Sequence, residues 1–159
     1  MNKNKFITTI QLTALLVLAT GHAGAQSKKQ SDFEEAKKEI AESNAVYFQS
    51  FAKGDSSIFI NRYAPGCLIM APNAPAMSGP DAPLKFFRMA YRNIGLRNGK
   101  FITNDIYGIG DGYAAETGLW QSFDANNVLF DNGKYLVLWK KTAKGWKMYR
   151  DSFSSDRKK

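Results

Sequence analysis

Histidine and cysteine are almost missing from this chain, which holds one of each, His22 and Cys67, among 159 residues. With a single cysteine there is no intrachain disulfide to form, whatever the redox compartment. Cys67 lies in the apolar run Cys67-Leu68-Ile69-Met70, where it reads as a small buried hydrophobe rather than a nucleophile. His22 belongs to a segment with the marks of an export signal. Lys3 and Lys5 form a short positive start, Phe6 to Ala19 is an apolar stretch diluted by Thr and Gln, and Ala23-Gly24-Ala25 supplies the small-x-small pattern of a cleavage site. The apolar stretch is shorter than the roughly 20 residues a membrane span needs. No cysteine follows it to carry a lipid.

The expected organisation is a signal peptide over residues 1–25, a polar leader over 26–30, one domain over 31–155 and a basic tail over 156–159, with the mature protein secreted or periplasmic and free of the membrane. Cleavage removes His22 and with it every histidine. This excludes His-based triads, His-ligated zinc and His general bases from the mature domain. It also removes Lys3 and Lys5, so Lys+Arg falls from 22 to 20 against 14 Asp+Glu and the net charge falls from +8 to +6. Much of that excess sits in Lys28-Lys29 and Arg157-Lys158-Lys159, end segments rather than a basic stripe, and nucleic acid is not an expected partner. No acidic run has calcium-loop spacing, and no phosphate loop occurs. Gly108-x-Gly110-x-Gly112 reads as a turn between strands, so neither metal nor cofactor is expected.

What is present in quantity is aromatic: Phe, Tyr and Trp make up 13% of the chain. Ser31-Asp32-Phe33-Glu34 reads as a capping box that opens a helix, whose one face carries Phe33, Ala36, Ile40, Asn44, Tyr47 and Phe51 before Gly54 stops it. Asp55 or Ser56 caps a short second helix through Ile58, Phe59 and Tyr63. Pro65-Gly66 turns into a strand over Cys67 to Ala71, and the prolines of residues 72–80 make a loop. Asp81 opens a third helix with Leu84, Phe87, Tyr91 and Ile94 on one face, closing at Gly95. From Lys100 onward the pattern is strand and turn: Phe101 to Ile109, Tyr113 to Asp124, Leu129 to Lys141 and Trp146 to Ser154. Helices followed by strands predict an α+β fold, a cone-shaped curved antiparallel sheet wrapped around a long N-terminal helix, with two further helices.

This order, with Tyr47 seven residues before Gly54-Asp55, Tyr63-Ala64 leading into a strand, Ser78-Gly79 ahead of the third helix and the closing Gly145-Trp146-Lys147, resembles the nuclear transport factor 2-like superfamily over roughly residues 34–155. Within it the chain is most similar to the SnoaL-like and ketosteroid isomerase-like branch, which includes many secreted members of unknown function. The resemblance matches Tyr47 to an oxyanion-binding tyrosine. It puts Ala71, before Pro72, where the isomerases carry their general-base Asp, and Tyr135 or Leu136 where they carry a second oxyanion donor, so steroid isomerisation through that constellation is not expected.

On the last strand, alternation groups Tyr149, Asp151 and Phe153 on one face, which the resemblance makes the pocket face. There Asp151 would be a carboxylate between aromatics, suited to acid/base work. Its alternative is an ordinary strand-end ion pair. Tyr47 is either a donor to a ligand or a core tyrosine. Phe51, Met70, Asn73, Phe87, Tyr91, Gln121, Tyr149 and Phe153 complete the candidate ligand contacts, with Met70, Met77, Phe87 and Tyr91 forming an adaptable rim; Asn73 is equally a turn residue. Glu116 and Gln121 have opposite parity, so one of them at most points inward, and the family's lining favours Gln121.

Three functions follow. The first is a secreted protein binding an apolar or aromatic small molecule. The second is an isomerase, cyclase or dehydratase with Asp151 as acid/base and Tyr47 as donor. The third is a homodimeric assembly module, for which Trp120 or Trp139 exposed on the outer sheet face would be the evidence.

Overall fold

A computed structural model describes residues 13–157, and side chains from residue 30 onward. The expected signal peptide and His22 therefore lie outside the described residues or on backbone whose side chains are not described. Among the described residues no helix is long and apolar enough to cross a membrane. The chain divides into two compact units, residues 1–35 and 36–159. Helix α1, Thr13–Lys53, contributes to both. Ser31 does not start it: no proline interrupts residues 13–53 and the helix runs through the expected capping box, where Gln30 instead donates to Glu34 at 3.0 Å.

The second unit is α+β. The chain turns at Gly54, whose φ is +65°. Asp55 then accepts from the Ser57 backbone N–H at 2.8 Å to cap α2, Ser56–Ile60. Strand β1 runs from Tyr63 to Met70 and starts earlier than the Pro65-Gly66 turn signal predicts, because an irregularity between Tyr63 and Leu68 absorbs those residues within the strand. After the two-residue β2, Met77–Ser78, comes α3, Ala82–Arg88, which widens into a π-helical turn, Met89–Ile94, closed by left-handed Gly95. That widening shifts the phase of the third helix. Its buried residues are Ala82, Pro83, Phe86, Phe87 and Ala90, while Ile94, expected on the core face, is 53% exposed.

Four long strands follow: β3 Asn98–Gly110, β4 Tyr113–Phe123, β5 Leu129–Thr142 and β6 Gly145–Phe153. The sheet order is β2-β1-β6-β5-β4-β3. Every pairing is antiparallel except β1 with β6, so the curved sheet is mixed and stays open. Its inner face holds α1 from Ala36 onward through Ile40, Tyr47, Phe48 and Phe51, which pack with Phe59, Phe87, Val137, Trp139, Trp146 and Met148 into one core. Cys67 is part of that core, and burial pushes its thiol up, as suits a packing residue.

Candidate functional site

Two bulges decide which side chains face inward. In β6, Trp139 pairs with Met148 while Leu138 pairs with Arg150, which leaves Tyr149 as an extra residue. Trp146 and Met148 therefore share the inner face with Asp151 and Phe153, and the simple alternation that grouped Tyr149 with Asp151 fails. Tyr149 instead lies outside, 6.0 Å from the Tyr113 ring, with the Lys140 ammonium 5.0 Å and the Arg150 guanidinium 3.7 Å from its ring centre. In β3, Thr103 pairs with Gly118 and Asp105 with Thr117, so Asn104 is the extra residue.

The inner face and α3 enclose a cavity of about 300 Å³. Its aromatic lining is Tyr47, Phe48, Phe86, Phe101, Trp120, Phe130, Tyr135 and Phe153. Asn73, Ser122, Asp131 and Asp151 add polar groups, and Ala71, Pro72 and Ala74 come from the loop after β1. A cavity of this size, apolar with few polar groups, matches small-molecule sites in general.

Asp151 is the buried carboxylate of the lining, only 6% exposed. Register places it beside Ile69 of β1 and Val137 of β5. Its Oδ2 accepts from the Tyr63 hydroxyl at 2.6 Å. Burial pushes its carboxyl up to about 6; the Tyr63 hydrogen bond opposes that shift and the negative charge of Glu116 adds to it. The hydroxyl of Tyr47 stands against Tyr63 and Asp151, and both tyrosines are held well above the ordinary phenol range, by burial first and by the Asp151 charge second. Both therefore remain neutral hydrogen-bonding groups at any physiological pH.

Glu116, fully buried on β4, is held by four side chains. Its Oε1 accepts from Asn44 and Thr103 at 2.7 Å and from Tyr135 at 2.8 Å, and its Oε2 accepts from Trp139 Nε1 at 2.9 Å. Such a carboxylate needs no cation to be satisfied. It ties α1, β3, β4 and β5 together and fixes Tyr135 in the cavity wall. Among the described residues no group of three or more His, Cys, Asp or Glu side chains could hold a metal ion.

No protein-family model matches the chain, and no curated protein matches it. Solved structures do. An NTF2-like protein of unknown function from Shewanella oneidensis MR-1 superposes with a TM-score of 0.62 at 17% identity, over 74% of this chain and 98% of that one. The chain has the nuclear transport factor 2-like fold. A ketosteroid isomerase-like protein from Erwinia carotovora atroseptica gives a TM-score of 0.59 at 18% identity over 75% and 95% of the two chains. An NTF2-like superfamily protein from Salmonella enterica serovar Typhimurium gives 0.62 at 17% identity over 79% and 94%.

Within this NTF2-like domain the candidate residues separate into three groups. Tyr47, Asn73, Asp151 and Phe153 line the cavity together, with Asn73 at an exposed, left-handed turn position. Phe51 and Phe87 lie behind it, stacked at 4.9 Å in the core, and Tyr91 stacks on Phe87 under the Arg97 guanidinium. Met70, Gln121 and Tyr149 are not among its lining residues. Met70 pairs with Ser152, one step out of phase with the inward Ile69–Asp151 pair. Gln121 has the parity of exposed Leu119, while Glu116 shares the inner parity of Trp120, the reverse of what the family's lining favoured. Both tryptophans considered for an outer face are inside, Trp139 fully buried and Trp120 in the cavity wall.

Sequence reasoning gave Tyr63, placed at the end of α2 and the start of the strand, no part in the site, named Tyr135 only with Leu136 at the position of a second oxyanion donor, and missed the wall residues Phe48, Phe86, Phe101, Trp120 and Phe130. One signal for β4 was available. Ala114 and Gly118 share parity with Glu116 and Trp120, and such small residues mark the face that another element approaches closely.

Proposed function

We propose that this NTF2-like domain binds a small molecule with an apolar or aromatic body and acts after export from the cytoplasm. The observation that carries the reading is the cavity itself: eight aromatic side chains around about 300 Å³ of space, with one buried carboxylate, Asp151, in the wall. Export is supported by the signal-like segment that ends at Ala25.

Trp120 lies in that wall, 5.8 Å from the Phe153 ring, and its emission should respond to occupancy. Titration with small neutral and charged aromatic probes is expected to give saturable changes in Trp fluorescence. Native mass spectrometry of the freshly purified protein is expected to show a retained adduct. A flat response to every probe, together with no adduct, would sink the reading.

A second reading is favoured by the elevated Asp151 carboxyl, at about 6, beside Tyr63 and Tyr47. A group that titrates so close to neutrality suits proton transfer in an isomerase, cyclase or dehydratase reaction. Loss of turnover with retained binding in Asp151→Asn would separate an enzyme from a binder. Assembly as a homodimer is supported by a different surface: Ile102, Leu119 and Leu136 are each at least 40% exposed on the outer face of the sheet.

A further inference from the structure

The charge pattern of the cavity narrows the class of ligand. Among the described residues its lining side chains include two carboxylates, Asp131 and Asp151, and eight aromatic rings, but no lysine, arginine or histidine. The strongest donors in and behind the wall are turned toward protein acceptors. Tyr63 donates to Asp151 Oδ2 at 2.6 Å, Tyr135 donates to Glu116 Oε1 at 2.8 Å, and Trp120 Nε1 donates to the Ser154 carbonyl at 3.0 Å. Asp151 Oδ1 accepts no hydrogen bond from the described residues. What remains toward the cavity is electron-rich: that oxygen, the ring faces and the Asp131 carboxylate, whose Oδ1 already accepts from the Asn132 N–H at 2.8 Å and the Ser155 hydroxyl at 2.7 Å. Tyr47, Asn73 and Ser122 can donate as well as accept, and they are neutral.

An anion entering this space would meet two carboxylates, with the Glu116 charge directly behind Tyr135, and among the described lining residues no cation to compensate it. Among the described residues no basic group offsets the burial of Asp151; burial and then Glu116 hold it above the ordinary carboxylate range, against the Tyr63 hydrogen bond. The positive net charge of the chain does not offset this. Exposed charges are screened within about 8–10 Å at physiological ionic strength, whereas Asp151 acts at contact in a site shielded from water.

We infer that the cavity takes a cationic organic ligand, a substituted amine or quaternary ammonium with an apolar or aromatic body, its nitrogen placed against Asp151 among the aromatic rings. The recognition chemistry is an ion pair with a buried carboxylate joined to cation–π contacts, which select a positive charge within an apolar shell. The inference rests on the reading of the cavity as a ligand site.

The test compares benzyltrimethylammonium with neopentylbenzene, its uncharged isostere with carbon in place of nitrogen, by Trp fluorescence and calorimetry on the whole chain. The cation is expected to bind at least tenfold more tightly, and Asp151→Asn to bring the two within about threefold of each other. The wild-type comparison decides the matter even where the variant does not fold. Equal or tighter binding of neopentylbenzene overturns the charge preference and leaves the cavity reading standing. Tighter binding of 4-phenylbutyrate, an anionic probe, does the same. Failure of all three probes to bind overturns the inference, and the cavity reading falls with it where no adduct is retained through purification either.

Discussion

At the scale of single residues, Asp151 and Glu116 show how two buried carboxylates differ. Glu116 accepts four hydrogen bonds from groups that belong to the scaffold. Asp151 accepts one, from Tyr63, and its carboxyl is raised from 3.8 to about 6. A carboxyl raised in the folded state stabilises the fold in its protonated form. That contribution is complete below about pH 4 and is lost as pH rises through 6; the change amounts to about 3 kcal/mol. Asp151→Asn keeps an oxygen for the Tyr63 hydroxyl but carries no charge. The variant is therefore expected to melt at a higher temperature than wild type at pH 8 and at nearly the same temperature at pH 4. A melting difference that does not change with pH would show that Asp151 is not desolvated as described.

At the scale of elements, the sheet is set by where backbones come closest. An added Cβ at Gly118 would stand 2.4 Å from the Ile102 carbonyl of β3 and 2.6 Å from the Tyr135 ring of β5. Gly118→Ala must displace Tyr135 from Glu116 or push neighbouring strands apart, and is expected to cost about 1–3 kcal/mol or more in urea unfolding. Gly110→Ala, at the turn end of β3 where nothing beyond its chain neighbours lies within 4 Å of the added Cβ, should change stability by less than about 0.5 kcal/mol. Similar losses at both positions would contradict the packing. The elements themselves were largely legible, because helix periodicity, the Asp55 cap and the turn residues are local signals. The site was less so. Strand alternation predicts facing only within an unbroken run, and the extra residues at Tyr149 and Asn104 are bulges set by how each strand pairs with its hairpin neighbour, which the alternation of one strand does not record. Asp151 was placed on the pocket face although Tyr149, grouped with it, lies outside. In the third helix a π-helical turn exposed Ile94 in the same way, by a change of phase that no window of the sequence encodes.

At the scale of the whole molecule, the two faces of the sheet carry different expectations. The inner face has its aromatic rings and buried carboxylates. The outer face holds Ile102 opposite Leu119, with Leu136 opposite the neighbouring Thr117, so three apolar side chains adjoin across three strands. Leu119 is 40% and Leu136 46% exposed, and water must cover them unless a second surface does. The expected occupant is a second copy of the chain, meeting the first sheet to sheet in a two-fold arrangement that repeats the same patch on both partners. Light scattering is expected to report a dimer for wild type and a monomer for the double substitution Leu119→Lys and Leu136→Lys, because like charges would then face one another across the contact. Cation binding should survive in that monomer, since neither residue lines the cavity. A wild-type protein that stays monomeric at high micromolar concentration would exclude the dimer, whereas loss of binding together with the dimer would mean that the second copy shapes the site.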